Sequence, residues 1–206
     1  MAALLCVRSY KMETDSGFAP NPYGGLLTLA TCKPGIRRVA ACDEWVAGFT
    51  SKKMNGDPVG EERLVFLMRV AGKLRREIYY AWFPQKRPDQ CTCGDNIYRP
   101  NNDGTYRHLG GPCHKGKAEQ DDDHKSSWVL LADEFYYFGG KPLSIDKAAR
   151  PNVPERQINF GRITEDEKAA RFIDFVKNQA TKLYPGKSGK FNEPHSPCDP
   201  DCPGGR

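Results

Sequence analysis

The sequence predicts an α+β domain in which short strands outnumber helices. Apolar runs rich in strand-forming residues alternate with polar turns along much of the chain. The 20 glycines and 16 prolines supply many turns and disfavour a helical bundle. Helical spacing of apolar residues is sustained over one segment, 165–183. With 206 residues the chain is long enough for one domain with a substantial core, but short for two.

The first part of the chain alternates predicted strands with loops. Residues 3–10 form a short apolar run typical of a strand, and 43–52 indicates a turn followed by a strand. The continuous apolar stretch within 63–74 is expected of a strand buried on both faces. Two prolines and paired glycines in 17–25 (GFAPNPYGG) predict a loop of defined shape. Residues 26–38 are compatible with a short helix or a strand.

The middle of the chain is more polar. Residues 76–83 suit a short helix or a strand, and 85–127 forms a long polar excursion that we expect to be functional or partly mobile. Residues 126–140 return to an apolar strand pattern. A linker rich in Pro, Asn and Arg is predicted at 141–162.

One helix is predicted with both of its ends defined. Thr164 and Glu167 form a capping box at the start of 165–183, and a Tyr-Pro-Gly sequence ends it. Its predicted apolar face consists of Ala169, Phe172, Ile173, Val176, Ala180 and Leu183. We therefore predict one domain over 1–185 and a Gly/Pro/Cys-rich tail over 186–206.

Charge and cysteine content bound the classes of partner. The net charge is +5, and basic clusters at 33–38 and 73–76 suit an anionic partner such as DNA or RNA, with a solvated basic surface as the alternative. No apolar run reaches the roughly 18–20 residues of a membrane span, and the start lacks a signal-peptide core. We therefore expect a cytoplasmic protein without membrane contact. The eight cysteines are then expected to be reduced or to bind a metal.

Five segments between residues 9 and 140 carry a family resemblance. They are SYKMETDSGFAPNPYGGLLTLATCKPGIRR (9–38), DEWVAGFTS (43–51), RLVFLMRV (63–70), GDNIY (94–98) and DEFYYFGG (133–140). In this order they resemble the nucleotide modification associated domain 2 family. The basic segment followed by the two strands is also similar to PUA-like barrels, including EVE and ASCH domains. That second likeness implies a single domain built on a PUA-like β-barrel with flanking helices.

The resemblance implies a function but no catalytic residues. It implies nucleic-acid base modification or modified-base recognition in a DNA modification system, with DNA or a nucleotide as the partner. Two alternatives stay open: a non-enzymatic reader of modified bases, and an enzyme that acts on a free nucleotide.

Aromatic and amide side chains of the loop at 17–25 are candidates for holding a base. Phe18 and Tyr23 offer ring faces for stacking, and the amide of Asn21 can donate and accept at a base edge. Trp45 and Trp82 are candidates for a further stacking wall. The alternative for all five residues is packing in the core.

Two further groups of polar residues are candidates for the same site. In the run that contains Thr28, Cys32, Lys33 and Arg37, the two cations could contact phosphates if a helix begins near Thr28. Cys32 could act as a nucleophile, although no partner base is evident in the sequence. The neighbours Asp95 and Asn96 suit acid–base chemistry or Mg²⁺ binding, with turn capping as the alternative.

Cysteine and histidine spacing raises the question of a structural zinc site. Soft ligands two to four residues apart suit Zn²⁺, and a closed site needs four of them. The candidate ligands are Cys91, Cys93, His195, Cys198 and Cys202. The alternative is free thiols and a disordered tail.

Overall fold

A computed structural model describes residues 5–146, 148–154, 161–163 and 166–196. The strands are β1 (Val7–Lys11), β2 (Leu27–Leu29), β3 (Trp45–Phe49), β4 (Leu64–Arg69), β5 (Gly72–Arg75), β6 (Tyr98–Pro100), β7 (Tyr106–His108), β8 (Trp128–Ala132), β9 (Phe135–Tyr137), β10 (Gly161–Ile163) and β11 (Gly189–Lys190). The α-helices are α1 (Pro34–Val39), α2 (Lys52–Asn55), α3 (Arg76–Trp82), α4 (Lys117–His124) and α5 (Asp166–Leu183), and a 3-10 turn spans Pro84–Lys86.

The strands form three sheets within this part of the chain. The largest has six strands in the order β10-β1-β3-β4-β9-β11, and it is mixed because β1 runs parallel to β3 and β9 runs parallel to β11. A three-stranded antiparallel sheet has the order β2-β8-β5, and β6 pairs with β7 in a hairpin. The predicted α+β class is confirmed. None of these sheets closes into a barrel, so the predicted PUA-like barrel is not confirmed.

The large sheet is buried on both faces. On β3, Val46 belongs to the hydrophobic cluster that contains β2, α1 and β8 residues, whereas its neighbours Trp45 and Ala47 belong to the cluster that contains α5 residues. On β4, every residue from Leu64 to Met68 is buried. This confirms a strand covered on both sides for the apolar run of the predicted segment 63–74, whereas the end of that segment belongs to β5 in the three-stranded sheet.

Helix α5 covers one face of the large sheet, as its periodicity predicts. The predicted helix at 165–183 is observed at Asp166–Leu183. The buried residues of its apolar face pack against side chains of the large sheet. Leu183 is an exception because it ends the helix and is 52% exposed. Thr164 of the predicted capping box lies outside the described residues. None of the described helices combines the length and apolarity needed to cross a lipid bilayer.

The segment predicted as a long polar excursion contains regular structure. Between residues 85 and 127 the chain forms the β6–β7 hairpin and helix α4. The hairpin packs against α3, where the Arg76 guanidinium lies over the rings of Tyr98 and Tyr106. The strands of the hairpin are only three residues long, which is why their period-2 pattern is not visible in the sequence.

Truncation of a buried ring on α5 is expected to destabilise the protein. Phe172 is fully buried against the large sheet and stacks on Phe49 at 6.3 Å, so Phe172→Ala should lower the free energy of unfolding by about 3–5 kcal/mol. Urea denaturation followed by circular dichroism measures this change. Leu183→Ala, at the exposed end of the same helix, should change it by less than about 0.5 kcal/mol. Equal effects of the two substitutions would contradict the packing described.

Candidate active site

Cys32 lies in a strained connection between β2 and α1. Cys32 (φ 54°) and Lys33 (φ 39°) both adopt the left-handed conformation, which non-glycine residues rarely occupy. Helix α1 starts directly afterwards at Pro34, whose ring fixes φ at a helical value. Two such residues in succession persist only where surrounding contacts hold them, and they are concentrated at functional sites.

The side chain of Cys32 forms a linear hydrogen-bonded series with a histidine and an aspartate. Its Sγ lies 3.2 Å from Nε2 of His114, and Nδ1 of the same ring lies 2.6 Å from Oδ2 of Asp123. His114 precedes α4 and Asp123 lies in its last turn. The order thiol, imidazole, carboxylate is that of a nucleophile, its base and the group that orients the base.

Asp123 also fixes the loop that carries the nucleophile. Its Oδ1 accepts a hydrogen bond from the backbone N–H of Cys32 at 2.6 Å, and its Oδ2 accepts one from the hydroxyl of Tyr98 at 2.8 Å. The carboxylate is fully buried, whereas Cys32 is only partly buried. The ring of Phe18 packs on that of His114 with centroids 5.1 Å apart. Asp123 thus holds the imidazole at Nδ1 and Phe18 packs on its ring, while Nε2 faces the partly buried Cys32.

A buried arginine joins the same two segments. Arg37 is fully buried, and its Nε donates to the carbonyl of Cys32 at 2.7 Å while Nη2 donates to the carbonyl of Asp123 at 2.9 Å. Its Nη1 donates to the carbonyls of Ser126 and Trp128, each at 2.8 Å. The structure therefore places this predicted phosphate ligand in the interior, where it positions the Cys32 loop.

The interactions of His114 with Asp123 and Cys32 favour the protonated form of its ring at neutral pH. Burial by itself lowers the pKa of His114, but its hydrogen bonds to Asp123 and Cys32 outweigh burial and raise the pKa to about 10. Burial likewise raises the pKa of Asp123, but the hydrogen bond and positive charge of His114 prevail and lower it. A protonated His114 between a thiol and a carboxylate is poised to stabilise a thiolate and to donate a proton.

Cys32, His114 and Asp123 also carry ligand atoms that lie close enough together to hold a metal ion. Their donor atoms all lie within 4.8 Å of one another. However, Asp123 bonds the Nδ1 side of the ring, so only the Cys32 sulfur and His114 Nε2 converge on one point. A catalytic zinc site uses three protein ligands. The arrangement therefore fits a nucleophilic site better than a metal centre.

Several predicted site residues form a second buried network instead. The carboxylate of Asp95 accepts hydrogen bonds from the hydroxyls of Thr28 at 2.7 Å and Tyr79 at 2.6 Å. The ammonium of Lys86 donates to Asn21 Oδ1 at 2.7 Å, and the Asn21 amide donates to the carbonyl of Cys93 at 2.6 Å. Burial lowers the pKa of Lys86 to about 8. These groups bond one another and hold the loop at 17–25 against β2.

The remaining predicted residues lie in separate places. Asn96 donates to the carbonyl of Phe83 at 3.0 Å, after α3. Tyr23 packs with Cys93 and Cys91 in a small apolar cluster. Trp45 is 3% exposed in the cluster under α5.

The structure therefore brings Phe18, Cys32, Lys33 and Arg37 together, with Lys33 Nζ lying 5.1 Å from the ring centre of Tyr10. The sequence reasoning missed His114 and Asp123. Their only signals were a Cys-His pair and a short acidic run in a polar segment.

The predicted zinc ligands are not brought together within the described residues. The backbone N–H of His195 donates to Asp15 Oδ2 at 3.1 Å, while Cys91 and Cys93 lie in the cluster with Tyr23. Cys198 and Cys202 lie outside the described residues, so the zinc site stays a prediction. Cys113 is disulfide-bonded, so the expectation of reduced thiols is wrong there, because spacing alone does not show which sulfur atoms a fold brings together. Among the described residues, the cysteines outside disulfides are Cys6, Cys32, Cys42, Cys91 and Cys93.

A cavity of about 340 Å³ lies elsewhere and shares no residue with the Cys-His-Asp series. Its lining includes Asp57, Glu62, Arg63 and Arg150. These charges pair with one another, Asp57 with Arg63 and Glu62 with Arg150. Because no charged group in this pairing is left for a ligand, the Cys32 series is the stronger candidate site.

Comparison with known proteins identifies the family. The family model described as nucleotide modification associated domain 2 matches residues 6–194, which include the whole Cys32–His114–Asp123 series. Neither the curated proteins nor the solved structures contain a match to the chain. The match covers well over half of the sequence, and the chain therefore belongs to the nucleotide modification associated domain 2 family.

Proposed function

We propose that this protein is a thiol-dependent acyl-transfer enzyme of a nucleotide modification system, with Cys32 as its nucleophile. The observation that carries the proposal is the hydrogen-bonded series in which His114 Nε2 lies 3.2 Å from Cys32 Sγ and His114 Nδ1 lies 2.6 Å from Asp123. The family description supports a nucleotide context. The substrate in this proposal is a nucleobase that carries an acyl group.

The chemistry follows from the three side chains. The Cys32 thiolate adds to the carbonyl carbon of an amide or ester on the base, and a C–S bond forms. The bond to the leaving nitrogen or oxygen then breaks, and the leaving atom takes a proton from the His114 imidazolium. Water or an amine attacks the resulting thioester, passes its proton to His114 and releases the thiolate. Asp123 orients the ring throughout and keeps its charge.

The surroundings of the series suit a planar substrate with a polar edge. Phe18 packs beside the His114 ring, and Lys33 brings a cation next to Cys32 and over the ring of Tyr10. Two buried hydroxyls, those of Tyr10 and of Thr31 next to Cys32, are without hydrogen-bond partners among the described residues. Buried polar groups usually have a partner, and a bound substrate would supply one.

The nucleophilic character of Cys32 is tested by its alkylation rate. Iodoacetamide should modify Cys32 about ten-fold or more faster than the exposed Cys42, because Cys32 Sγ lies 3.2 Å from the His114 ring that serves as its base. His114→Gln should remove most of this advantage. Peptide mass spectrometry measures both thiols in the same sample, so Cys42 serves as the internal reference. His195→Gln, in the exposed His195–Ser196 segment, is the matched control and should leave the ratio unchanged.

An equal rate at the two thiols, or an advantage of Cys32 that survives in His114→Gln, would contradict the proposed nucleophile.

The acyl-transfer reaction is tested on oligonucleotides with acyl groups on the exocyclic amines of cytosine, adenine and guanine. We expect nucleoside mass spectrometry to show loss of the acyl group from at least one base, with a thioester-linked protein adduct at early times. Cys32→Ser should abolish both signals. If every base is unchanged while the oligonucleotides still bind, the protein is a non-enzymatic reader of modified bases and the acyl-transfer proposal fails.

A further inference from the structure

A surface that joins β5, β8 and α3 combines exposed aromatic and aliphatic side chains with basic ones. We name it the α3 surface, and its members are Lys73, Arg75, Ile78, Trp82 and Trp128. We propose that the α3 surface binds single-stranded nucleic acid and so presents a strand to the Cys32 region. This inference rests on the proposed function for its purpose, but its binding test does not depend on catalysis by Cys32.

The apolar part of the α3 surface is open to solvent. Trp82 is 67% exposed and Ile78 is 39% exposed, so two large apolar side chains four residues apart on α3 face the solvent together. Arg75 precedes α3, and residues three and four apart on a helix are neighbours, so Arg75, Ile78 and Trp82 lie along one side of it. Glu77 falls on a different side, where it bonds the Tyr106 hydroxyl.

The basic part of the α3 surface surrounds a second indole. The Arg75 guanidinium carbon lies 4.6 Å and Lys73 Nζ lies 5.1 Å from the ring centre of Trp128. Strand pairing explains this, because Arg75 on β5 is directly opposite Trp128 on β8. Among the described residues, no carboxylate forms an ion pair with Lys73 or Arg75, whose hydrogen-bond partners are neutral oxygens. Their charges are therefore available to phosphates.

Contacts of Lys73 connect the α3 surface with the segment that carries Cys32. Lys73 Nζ donates to the carbonyls of Arg38 at 2.7 Å and Ala40 at 2.8 Å, at the end of α1. This helix begins two residues after Cys32 and spans six residues, or about 9 Å. Arg38 itself is exposed, so the segment that Lys73 contacts carries a further charge open to solvent. A strand on the α3 surface would thus lie within one short helix of the nucleophile.

The combination of groups favours a single strand over other occupants. Single-stranded nucleic acids bind where cations follow the backbone and aromatic faces receive unpaired bases. Trp82 and Trp128 supply such faces, and Arg38, Lys73 and Arg75 supply the charges. In duplex DNA the base faces are stacked on one another, so an exposed indole gains less from it. An acidic protein segment would match the cations but has no need of two indoles.

The test is binding of a fluorescein-labelled oligothymidylate of roughly 20 nucleotides, followed by fluorescence anisotropy over a series of salt concentrations. The wild-type chain should bind, and Trp82→Ala should weaken binding at least about five-fold, the lower end for loss of one stacking residue. The double variant Arg38→Gln/Arg75→Gln should reduce the slope of log K against log salt by about 1.4, or about 0.7 for each lost phosphate contact.

Matched controls are Leu183→Ala for the exposed apolar group and Arg171→Gln for the exposed charge, both on α5. They should bind like the wild type, and circular dichroism should show all variants folded. Cys32→Ser should also bind normally. The proposal is overturned if the oligonucleotide does not bind, if it binds the matching duplex more tightly, or if the α5 controls lose as much affinity as the α3 variants. In each of those cases fast alkylation of Cys32 would leave the proposed function standing.

Discussion

The fully buried carboxylate of Asp123 is the group on which the geometry of the site depends. It accepts a hydrogen bond from the Cys32 amide at 2.6 Å, from the Tyr98 hydroxyl at 2.8 Å and from His114 Nδ1 at 2.6 Å. A buried carboxylate without such partners would be strongly destabilising. The three hydrogen bonds to this carboxylate therefore hold the Cys32 loop, the β6–β7 hairpin and the segment before α4 close together.

Two buried guanidinium groups complete this constraint. Arg37 and Arg76 both donate to the backbone carbonyl of Asp123, at 2.9 and 2.8 Å. Burial, together with the nearby charge of Arg76, lowers the pKa of Arg37 to about 10, which still leaves it charged at neutral pH. Two cations beside Asp123 account for a deeply buried polar centre within the segment that was predicted as a long polar excursion. Arg37 also helps to hold Cys32 in its left-handed conformation, because its Nε donates to the Cys32 carbonyl.

The fold was more predictable from the sequence than the site. Strand β4 and helix α5 have continuous or strongly periodic apolar patterns, because each is covered by a large hydrophobic cluster, and both were predicted within a few residues. The predicted closed barrel was based only on the similarity of the element order to that of PUA-like domains. The open six-stranded sheet instead depends on parallel pairing of β1 with β3, which local sequence does not record.

Within the site, the sequence made Cys32 a candidate nucleophile, but it showed no partner base. His114 is separated from it by 82 residues and Asp123 by 91, so neither pairing is visible as spacing. Both partners lie in a polar segment whose short strands and short helix have weak periodicity. Arg37 was expected to contact phosphates, but it is buried and donates to backbone carbonyls, because burial depends on tertiary packing and not on residue type.

The central claim is that His114 is an imidazolium held between Cys32 and Asp123 at neutral pH. Long-range ¹H–¹⁵N NMR of histidine-labelled protein tests it directly, with His114→Gln to assign one of the four histidines. We expect both ring nitrogens of His114 to stay protonated at neutral pH and to titrate only near pH 10. His108 and His124 should become neutral at lower pH, because burial lowers the pKa of each. A His114 ring that is neutral at pH 7.5 and titrates at the ordinary histidine value near 6.5 would contradict the account.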